Sequence, residues 1–215
     1  MALQVYERIV VGPLECNCYI VGDPATKQAI VIDPGDDVEE LSEALVRHGL
    51  QTRAIVATHA HFDHIMGAER LKALTGAPFY MHHSDMRLLG WFGESLRLFL
   101  GLDDLEPPEV DVQISDGDEL SAGEHTLQVI HTPGHSEGSI SLLSSDPDAR
   151  CLFSGDTLFA RSVGRTDLPG GDQSQLLTSI RERLLVLDEM PVLPGHGPPT
   201  TLEQERVHNP FLAHP

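Results

Sequence analysis

Short apolar runs rich in β-branched residues recur along the chain, and turn residues separate them, which is the pattern of β-strands. The predicted strands cover residues 5–11, 18–21, 29–32, 54–57, 78–81, 110–114, 125–131, 139–143, 150–153 and 191–193. Apolar positions at helical spacing predict helices between residues 36 and 49, over 66–75 and 174–187, and from residue 200 onward. Strands followed by helices therefore occur twice along the chain.

Residues able to cap a helix precede three of these helical segments. Asp36 with Glu39, and Thr200 with Glu203, have the spacing of a capping box, in which side chains satisfy free N–H groups of the first turn. Asp172 is the predicted cap of the helix over residues 174–187. These caps predict where each helix begins.

A dense group of metal-binding side chains follows the predicted strand 54–57. The segment His59-Ala60-His61-Phe62-Asp63-His64 places three imidazoles and one carboxylate within six positions. In an extended segment His59 and His61 point the same way, because side chains repeat every two residues. Asp63 and His64 lie past a bend and are expected to aim at a second point nearby. Two neighbouring ions that share ligands would use all of these donors, which one ion could not easily do.

Three further donors lie in the same kind of setting. His135, Asp156 and His196 each follow a predicted strand end, beside a glycine that lets the backbone come close. Loops at the strand ends of one sheet edge are where functional side chains collect. The sequence therefore predicts one site built from seven donors.

The order of these donors, His-x-His-x-Asp-His followed by Gly-His, Gly-Asp and Gly-His, resembles the metallo-β-lactamase superfamily over nearly the whole chain. Segments 155–159, 163–172 and 201–212 are similar to the short glyoxalase II-type hydrolases of bacteria. Persulfide dioxygenases carry a stretch similar to Gly164-Arg165-Thr166-Asp167. The resemblance implies an α+β fold, a four-layer αββα sandwich with the metal site at one edge of two facing sheets.

The resemblance also implies the role of each donor. One metal would be held by His59, His61 and His135, the other by Asp63, His64 and His196, with Asp156 bridging them. His59, Asp63 and Asp156 are in addition the expected catalytic residues. Asp33, which follows a strand, is an expected supporting acid for the ligating imidazoles; the alternative is an aspartate that only forms a turn. Nitrogen and oxygen ligands suit zinc, iron and manganese alike; we expect two divalent ions, with zinc as the first choice.

The chemistry expected of such a site is hydrolysis. No serine or cysteine lies in a nucleophile motif such as Gly-x-Ser-x-Gly, so a metal-bound hydroxide is the expected nucleophile. A thiolate leaving group needs little protonation, which favours a glutathione thioester such as S-lactoylglutathione. The alternatives are a persulfide dioxygenase with one iron on His59, His135 and Asp156, a hydrolase of another small ester or lactone, a nuclease, and a non-catalytic binding module.

Arg165 is the predicted substrate-binding residue. It lies in a loop that leaves the strand end bearing Asp156, and its planar guanidinium matches a carboxylate of glutathione. Similar enzymes use a cation at this point of the motif. The alternative is that Arg165 pairs with Asp167 or Asp172 and orders the loop.

Composition narrows the classes of function. The chain has 14 Lys and Arg against 33 Asp and Glu, a net charge of −19 that would repel nucleic acids and anionic membranes. A hydrophobic fraction of 40% suffices for a sizeable core, expected to form one domain over residues 1–215 without the helical glutathione-binding domain of longer glyoxalase II enzymes. Cys16, Cys18 and Cys151 are expected to be reduced core residues. Neither a signal peptide nor an apolar stretch long enough to span a membrane is evident. We therefore expect a cytoplasmic monomer or homodimer whose partner is a small-molecule thioester.

Residues 84–105 are the least typical stretch, with closely spaced large apolar side chains. They predict one or two helices packed on the core. The alternatives are a mobile hydrophobic wall over the site or a dimer contact. His82 and His83, directly before this stretch, are expected to face apart as loop residues.

Overall fold

The computed structural model of the chain describes residues 2–103, 105–144 and 146–212. Asp104 of the predicted segment 84–105, residue 145 and the two ends of the predicted domain 1–215 lie outside these described residues. Within the described ranges, no helix is long and apolar enough to cross a membrane.

The elements alternate along the chain much as the apolar pattern predicts. The strands are β1 (Gln4–Val11), β2 (Cys16–Gly22), β3 (Gln28–Ile32), β4 (Gln51–Val56), β5 (Phe79–His82), β6 (Val112–Ile114), β7 (Glu119–Ala122), β8 (His125–His131), β9 (Ile140–Ser144), β10 (Leu152–Gly155), β11 (Leu158–Phe159), β12 (Ser162–Val163), β13 (Pro191–Pro194) and β14 (Thr200–Thr201). The α-helices are α1 (Val38–His48), α2 (Phe62–Ile65), α3 (Ala68–Thr75), α4 (Phe92–Leu100), α5 (Gln173–Ser179) and α6 (Leu202–His208). A 3₁₀ helix (His83–Trp91) precedes α4, and a π-helical turn (Ile180–Leu184) continues α5.

The strands form two large sheets. The first has the order β1-β2-β3-β4-β5-β6, with β1 to β3 antiparallel and β3 to β6 parallel. The second has the order β14-β13-β10-β9-β8-β7, in which β10 and β13 are the parallel pair. Parallel neighbours need a crossover connection, and α1, α3 and α4 lie in the crossovers of the first sheet. Strands β11 and β12 pair as a separate hairpin.

Apolar side chains pack in three layers. Side chains from both sheets, including Tyr19 and Phe153, fill the space between the sheets, and these two rings meet edge to face at 5.2 Å. Helices α1, α3 and α4 pack on the outer face of the first sheet, with Leu41 and Leu71 in that cluster. Helices α5 and α6 cover the second sheet, where Leu176 is fully buried. The predicted αββα sandwich is therefore confirmed.

Two of the three predicted helix caps differ from the structure. Helix α1 begins after Asp37, which has a left-handed backbone with φ of 50°, and Asp36 accepts the N–H of Asp37 instead of capping the helix. The predicted box at Asp36 is therefore wrong. Thr201, one residue after the predicted Thr200, caps α6, whereas Asp172 caps α5 as predicted.

The segment 84–105 contains helices as predicted, whereas the two histidines before it are arranged differently from the prediction. The predicted one or two helices are confirmed as the 3₁₀ helix and α4, which bury Phe92 and Leu96 against the first sheet. The expectation that His82 and His83 face apart is wrong, because their rings stack at 4.4 Å. The 3₁₀ turn after β5 brings the two rings to the same side.

Leucines at two positions test the sandwich packing. Leu142 is fully buried between the sheets, whereas Leu98 on α4 is 75% exposed. We expect Leu142→Ala to lower the free energy of unfolding by about 2–5 kcal/mol, because it removes buried methyl groups and leaves a cavity. Leu98→Ala, the same change at the surface, should alter it by less than about 0.5 kcal/mol. Urea denaturation of the metal-free protein measures both, and equal effects would contradict the packing.

Candidate metal centre

Every predicted donor lies just past the C-terminal end of a strand. His59, His61, Asp63 and His64 follow β4, and His135, Asp156 and His196 follow β8, β10 and β13. The ends of these four strands lie at one edge of the two sheets, so their loops meet there. The structure thus brings all seven sequence-predicted donors together.

His59, His61 and His135 form the first donor group. Their atoms Nε2, Nδ1 and Nε2, respectively, lie 2.9–3.2 Å from one another. Two ligand atoms of a tetrahedral zinc site with bonds of about 2.0–2.1 Å are about 3.4 Å apart. The three nitrogens therefore have nearly the separation that one metal ion requires.

Asp63, His64 and His196 form the second donor group. His196 Nε2 lies 3.2 Å from both Asp63 Oδ2 and His64 Nε2, and the latter two atoms are 3.7 Å apart. Asp156 lies between the groups. Its Oδ2 is 3.5 Å from His135 Nε2 and its Oδ1 is 3.5 Å from His64 Nε2. One carboxylate thus faces both groups, as a bridging ligand would.

Acceptors beside the outer ring nitrogens of three histidines turn their inner nitrogens toward the centre of the site. His135 Nδ1 donates to the carbonyl oxygen of Arg165 at 2.7 Å, and His196 Nδ1 donates to another backbone carbonyl at 3.2 Å. His64 Nδ1 lies 3.0 Å from Asp33 Oδ2. Metal-binding histidines are typically oriented in this way by a carbonyl or carboxylate. The chemistry of the donors therefore fits a metal.

Burial and charge also suit a cation. Burial lowers the pKa of His61 to about 3, so its imidazole is neutral at neutral pH. Burial alone would raise the pKa of Asp63, but the charge of His64 and a hydrogen bond from His196 outweigh it and lower that pKa. Among the described residues, Asp156 Oδ1 is a buried oxygen without a hydrogen-bond partner. A bound cation would satisfy that oxygen.

Asp33 contacts His64 of the second donor group directly and His59 of the first through Thr58. Its buried carboxylate accepts the N–H and the hydroxyl of Thr58 at 2.6 and 2.8 Å and also faces His64. The Thr58 hydroxyl in turn lies 3.1 Å from His59 Nδ1. The backbone of Asp33 is left-handed, with φ of 52°, a conformation that Asp adopts more readily than most residues. Asp33 therefore occupies the supporting position predicted for it.

Two buried residues that the sequence did not mark hold the loops in place. Asp85, in the 3₁₀ helix, accepts the N–H of Ala60 and the hydroxyl of Ser136 at 2.9 and 2.8 Å, so it links the loop after β4 to that after β8. Burial raises the pKa of Asp85. Asn17 donates to two backbone carbonyl oxygens that flank His196, each at 2.9 Å. Their partners are far away in the chain, so no local motif identifies either residue.

Gly195, beside His196, must be a glycine because of its close neighbours. A Cβ atom at this position would collide with Asp156 Oδ1 and lie 2.8 Å from the ring of His64. Any larger residue would therefore displace a donor of the second group or the carboxylate between the groups.

A cavity of about 440 Å³ opens above the donors. His61, Asp63, His135, Asp156 and His196 face it, and much of its wall comes from the segment 84–105. The position of that segment agrees with the alternative interpretation as a mobile hydrophobic wall over the site, and its mobility stays a prediction.

Arg165 also lines the cavity, and its side chain is 53% exposed. Its guanidinium forms two hydrogen bonds with Asp167, at 2.7 and 2.9 Å, which raise the pKa of Arg165. Asp172, the other predicted partner, caps α5 instead. Arg165 therefore both pairs with Asp167, a contact that orders the loop, and lies at the cavity.

The sequence is similar to that of several other proteins. A family model described as the metallo-beta-lactamase superfamily matches residues 11–196. The uncharacterized protein ML0493 of Mycobacterium leprae is 41% identical, over 94% of this chain and 95% of that protein. The probable metallo-hydrolase YqgX of Bacillus subtilis is 38% identical, over 96% and 97%. The hydroxyacylglutathione hydrolase GloC of Haemophilus influenzae is 34% identical, over 96% and 97%.

Two solved structures resemble the whole chain. BLEG-1, described as a B3 metallo-beta-lactamase, has a TM-score of 0.88 and 39% identity, covering 97% of this chain and 99% of that chain. TTHA1623 in a di-iron-bound form has a TM-score of 0.84 and 40% identity, covering 96% and 100%. These similarities extend over nearly the whole chain and therefore over both sheets.

The variant Asp33→Asn tests how the donors are oriented. Asn has the same shape and tolerates a left-handed backbone, but it lacks the charge and one acceptor. We expect the affinity for divalent metal to fall about 10- to 100-fold, because His64 loses the acceptor that orients it. Competition with a chromophoric chelator measures this affinity. Asp36→Asn, the same change three residues away, is the matched control. An unchanged affinity in Asp33→Asn would contradict the orienting role.

Proposed function

The chain belongs to the metallo-β-lactamase superfamily, and on that premise we propose that it is a metal-dependent thioester hydrolase. The proposed substrate is a glutathione thioester such as S-lactoylglutathione, which water splits into a hydroxy acid and glutathione. The observation that carries this proposal is the pair of donor groups with Asp156 between them. The similarity to GloC, a hydroxyacylglutathione hydrolase, supports the choice of substrate.

We propose that the two donor groups hold two divalent ions that share Asp156. One ion would bind His59, His61 and His135, and the other would bind Asp63, His64 and His196. The similar protein TTHA1623 is described as di-iron-bound, which supports this number. Nitrogen and oxygen donors suit zinc, iron and manganese, and zinc is our first expectation. Two such ions, when bound, polarise a carbonyl group and lower the pKa of a water molecule.

The residues of the chain position the reactants. Asp63 and Asp156, two of the proposed catalytic residues, line the cavity, where their carboxylates can accept a hydrogen bond from water. His59, the third, is buried beneath them. The apolar walls restrict bulk water, and electrostatic interactions at the cavity floor are stronger for that reason.

The leaving group follows from the residues that line the cavity. In the proposed reaction the water oxygen bonds to the carbonyl carbon, the C–S bond breaks, and its electron pair leaves with sulfur. A thiol with a pKa of about 8.5 can leave as the thiolate without a strong acid. Among the described lining residues, every titratable side chain except Arg165 belongs to the seven donors. The cavity thus has no separate acid, which suits a thiolate.

Two other reactions are each favoured by one observation. BLEG-1 is described as a B3 metallo-beta-lactamase, which makes the hydrolysis of a cyclic amide a candidate. The nitrogen leaving group of that reaction needs a proton. Among the described residues that line the cavity, no acid other than the metal-binding side chains could supply it. The similarity of residues 164–167 to persulfide dioxygenases makes an iron oxygenase the other candidate. One iron on His59, His135 and Asp156 would leave the second donor group without a role.

Three substrates given to the metal-loaded protein distinguish these reactions. We expect S-lactoylglutathione to release free thiol without oxygen uptake, as followed with a thiol reagent and an oxygen electrode. A β-lactam and glutathione persulfide are the comparison substrates. Protein treated with a chelator is the control and should release no thiol. Oxygen uptake with the persulfide, together with no thioester cleavage, would contradict the hydrolase.

Two variants separate the possible roles of Arg165. We expect Arg165→Ala to raise KM about 10- to 100-fold with metal content unchanged, because a charge-assisted hydrogen bond contributes about 1.5–3 kcal/mol. Asp167→Ala breaks the same ion pair but keeps the guanidinium, so KM should change less than about fivefold. Steady-state kinetics and metal analysis of both variants provide the test. Equal effects of the two variants would show that Arg165 orders the loop and does not bind substrate.

A further inference from the structure

The walls of the cavity above the donors are almost entirely apolar. They include Leu14 between β1 and β2, Phe159 in β11, and Leu88, Trp91, Phe92 and Phe99 from the segment 84–105. Among the described lining residues, the polar side chains outside the seven donors are those of Ser95 and Arg165. A substrate that enters the cavity therefore contacts mainly hydrocarbon.

Three of the wall residues remain exposed at the mouth of the cavity. Trp91, Phe99 and Leu14 are 48, 44 and 40% exposed. The ring of Phe99 stacks on that of Phe62 at 5.8 Å, at the start of the short helix that bears Asp63. Large apolar side chains exposed together beside a set of donors are typical of a binding surface. The exposed wall and the donors are thus parts of one site.

The lactoyl group is a poor match for this wall. It is small and carries a hydroxyl group. Among the described residues that line the cavity, Ser95 is available as a hydrogen-bond partner for that hydroxyl. Glutathione carries carboxylates and an ammonium group. Among the described residues that line the cavity, the cation is Arg165, which is half-exposed. The polar thiol part of a substrate therefore binds at the mouth of the cavity, where the guanidinium of Arg165 can bind a carboxylate bidentately. The interior is left for an apolar group.

We infer that the preferred substrates are thioesters of an anionic thiol with an apolar acyl chain, aliphatic or aryl, longer than lactoyl. The acyl chain lies between α4 and Leu14, and a carboxylate of the thiol lies against Arg165. Trp91, Phe99 and Leu14 are then the residues that determine acyl specificity. This inference rests on the thioester hydrolase proposed above and names its substrate class.

Trp91 is the sole tryptophan of the chain and lines the cavity, so its fluorescence reports on occupancy. The probes are S-methylglutathione and S-hexylglutathione, thioethers that cannot be hydrolysed, added to the metal-loaded protein. Each buried methylene raises affinity about two- to fourfold. The hexyl compound should therefore bind about 30-fold more tightly, or more. Equal affinities would overturn the inference.

A kinetic series separates failure of this inference from failure of the proposed reaction. We expect kcat/KM for the hexanoyl thioester of glutathione to exceed that for the lactoyl thioester about tenfold or more. Cleavage of both at equal rates, with equal thioether affinities, would overturn the acyl site and leave the hydrolase intact. Tighter binding of the hexyl thioether without cleavage of any thioester would keep the apolar site and overturn the reaction.

Variants in two separate segments of the wall locate the acyl chain. Phe99→Ala and Leu14→Ser should each reduce the hexyl-to-methyl affinity ratio about threefold or more, because each removes apolar contact area. Leu98→Ala is the matched control, since Leu98 is adjacent in sequence, 75% exposed and absent from the lining. Circular dichroism establishes that each variant is folded. If Phe99→Ala does not fold, Leu14→Ser, in a loop, carries the test.

Two further outcomes would also overturn the inference. One is an unchanged affinity ratio in the folded wall variants. The other is a Trp91 fluorescence that changes on dilution of the protein but with neither thioether. In that case the wall is a contact between copies of the chain.

Discussion

Asp33 accepts hydrogen bonds from Thr58 and faces His64 with a carboxylate that solvent does not reach, and both donor groups depend on this contact. A buried carboxylate is stable only when its oxygens are fully partnered. The partners of Asp33 come from the loop after β4, which bears four of the seven donors. That loop therefore has a single favourable arrangement, and it presents His59 to the first group and His64 to the second.

The other loops are tied to this one from different sides. Asp85 connects it to the loop of His135, and Asn17 holds the backbone on both sides of His196. Both residues lie on elements of the first sheet layer, whereas His135 and His196 follow strands of the second sheet. The packing of the two sheets and the geometry of the donors are thus coupled, because a shift between the layers would separate His135 from the rest of the first group and His196 from the rest of the second.

The sequence could predict that these seven side chains would lie together because their signals are local. The side-chain period of an extended segment pairs His59 with His61, and a glycine beside a strand end marks His135, Asp156 and His196. The αββα layers followed from the resemblance that these motifs carry. Asp85 and Asn17 were not predictable, because their roles exist only where distant segments meet. The stacking of His82 on His131 at 4.2 Å likewise joins the two sheets, and no pattern along the chain indicates it.

The central claim is that two ions occupy the two donor groups and share Asp156. Anomalous diffraction from crystals of the metal-loaded protein, collected at the absorption edge of the metal, tests it most directly. We predict two anomalous peaks, one at each donor group, with nitrogen and oxygen ligands and the Asp156 carboxylate between them. A single peak under excess metal would contradict the claim. So would a peak bonded to the sulfur of Cys16, which lies 3.5 Å from His64 Nδ1 on the side away from the cavity.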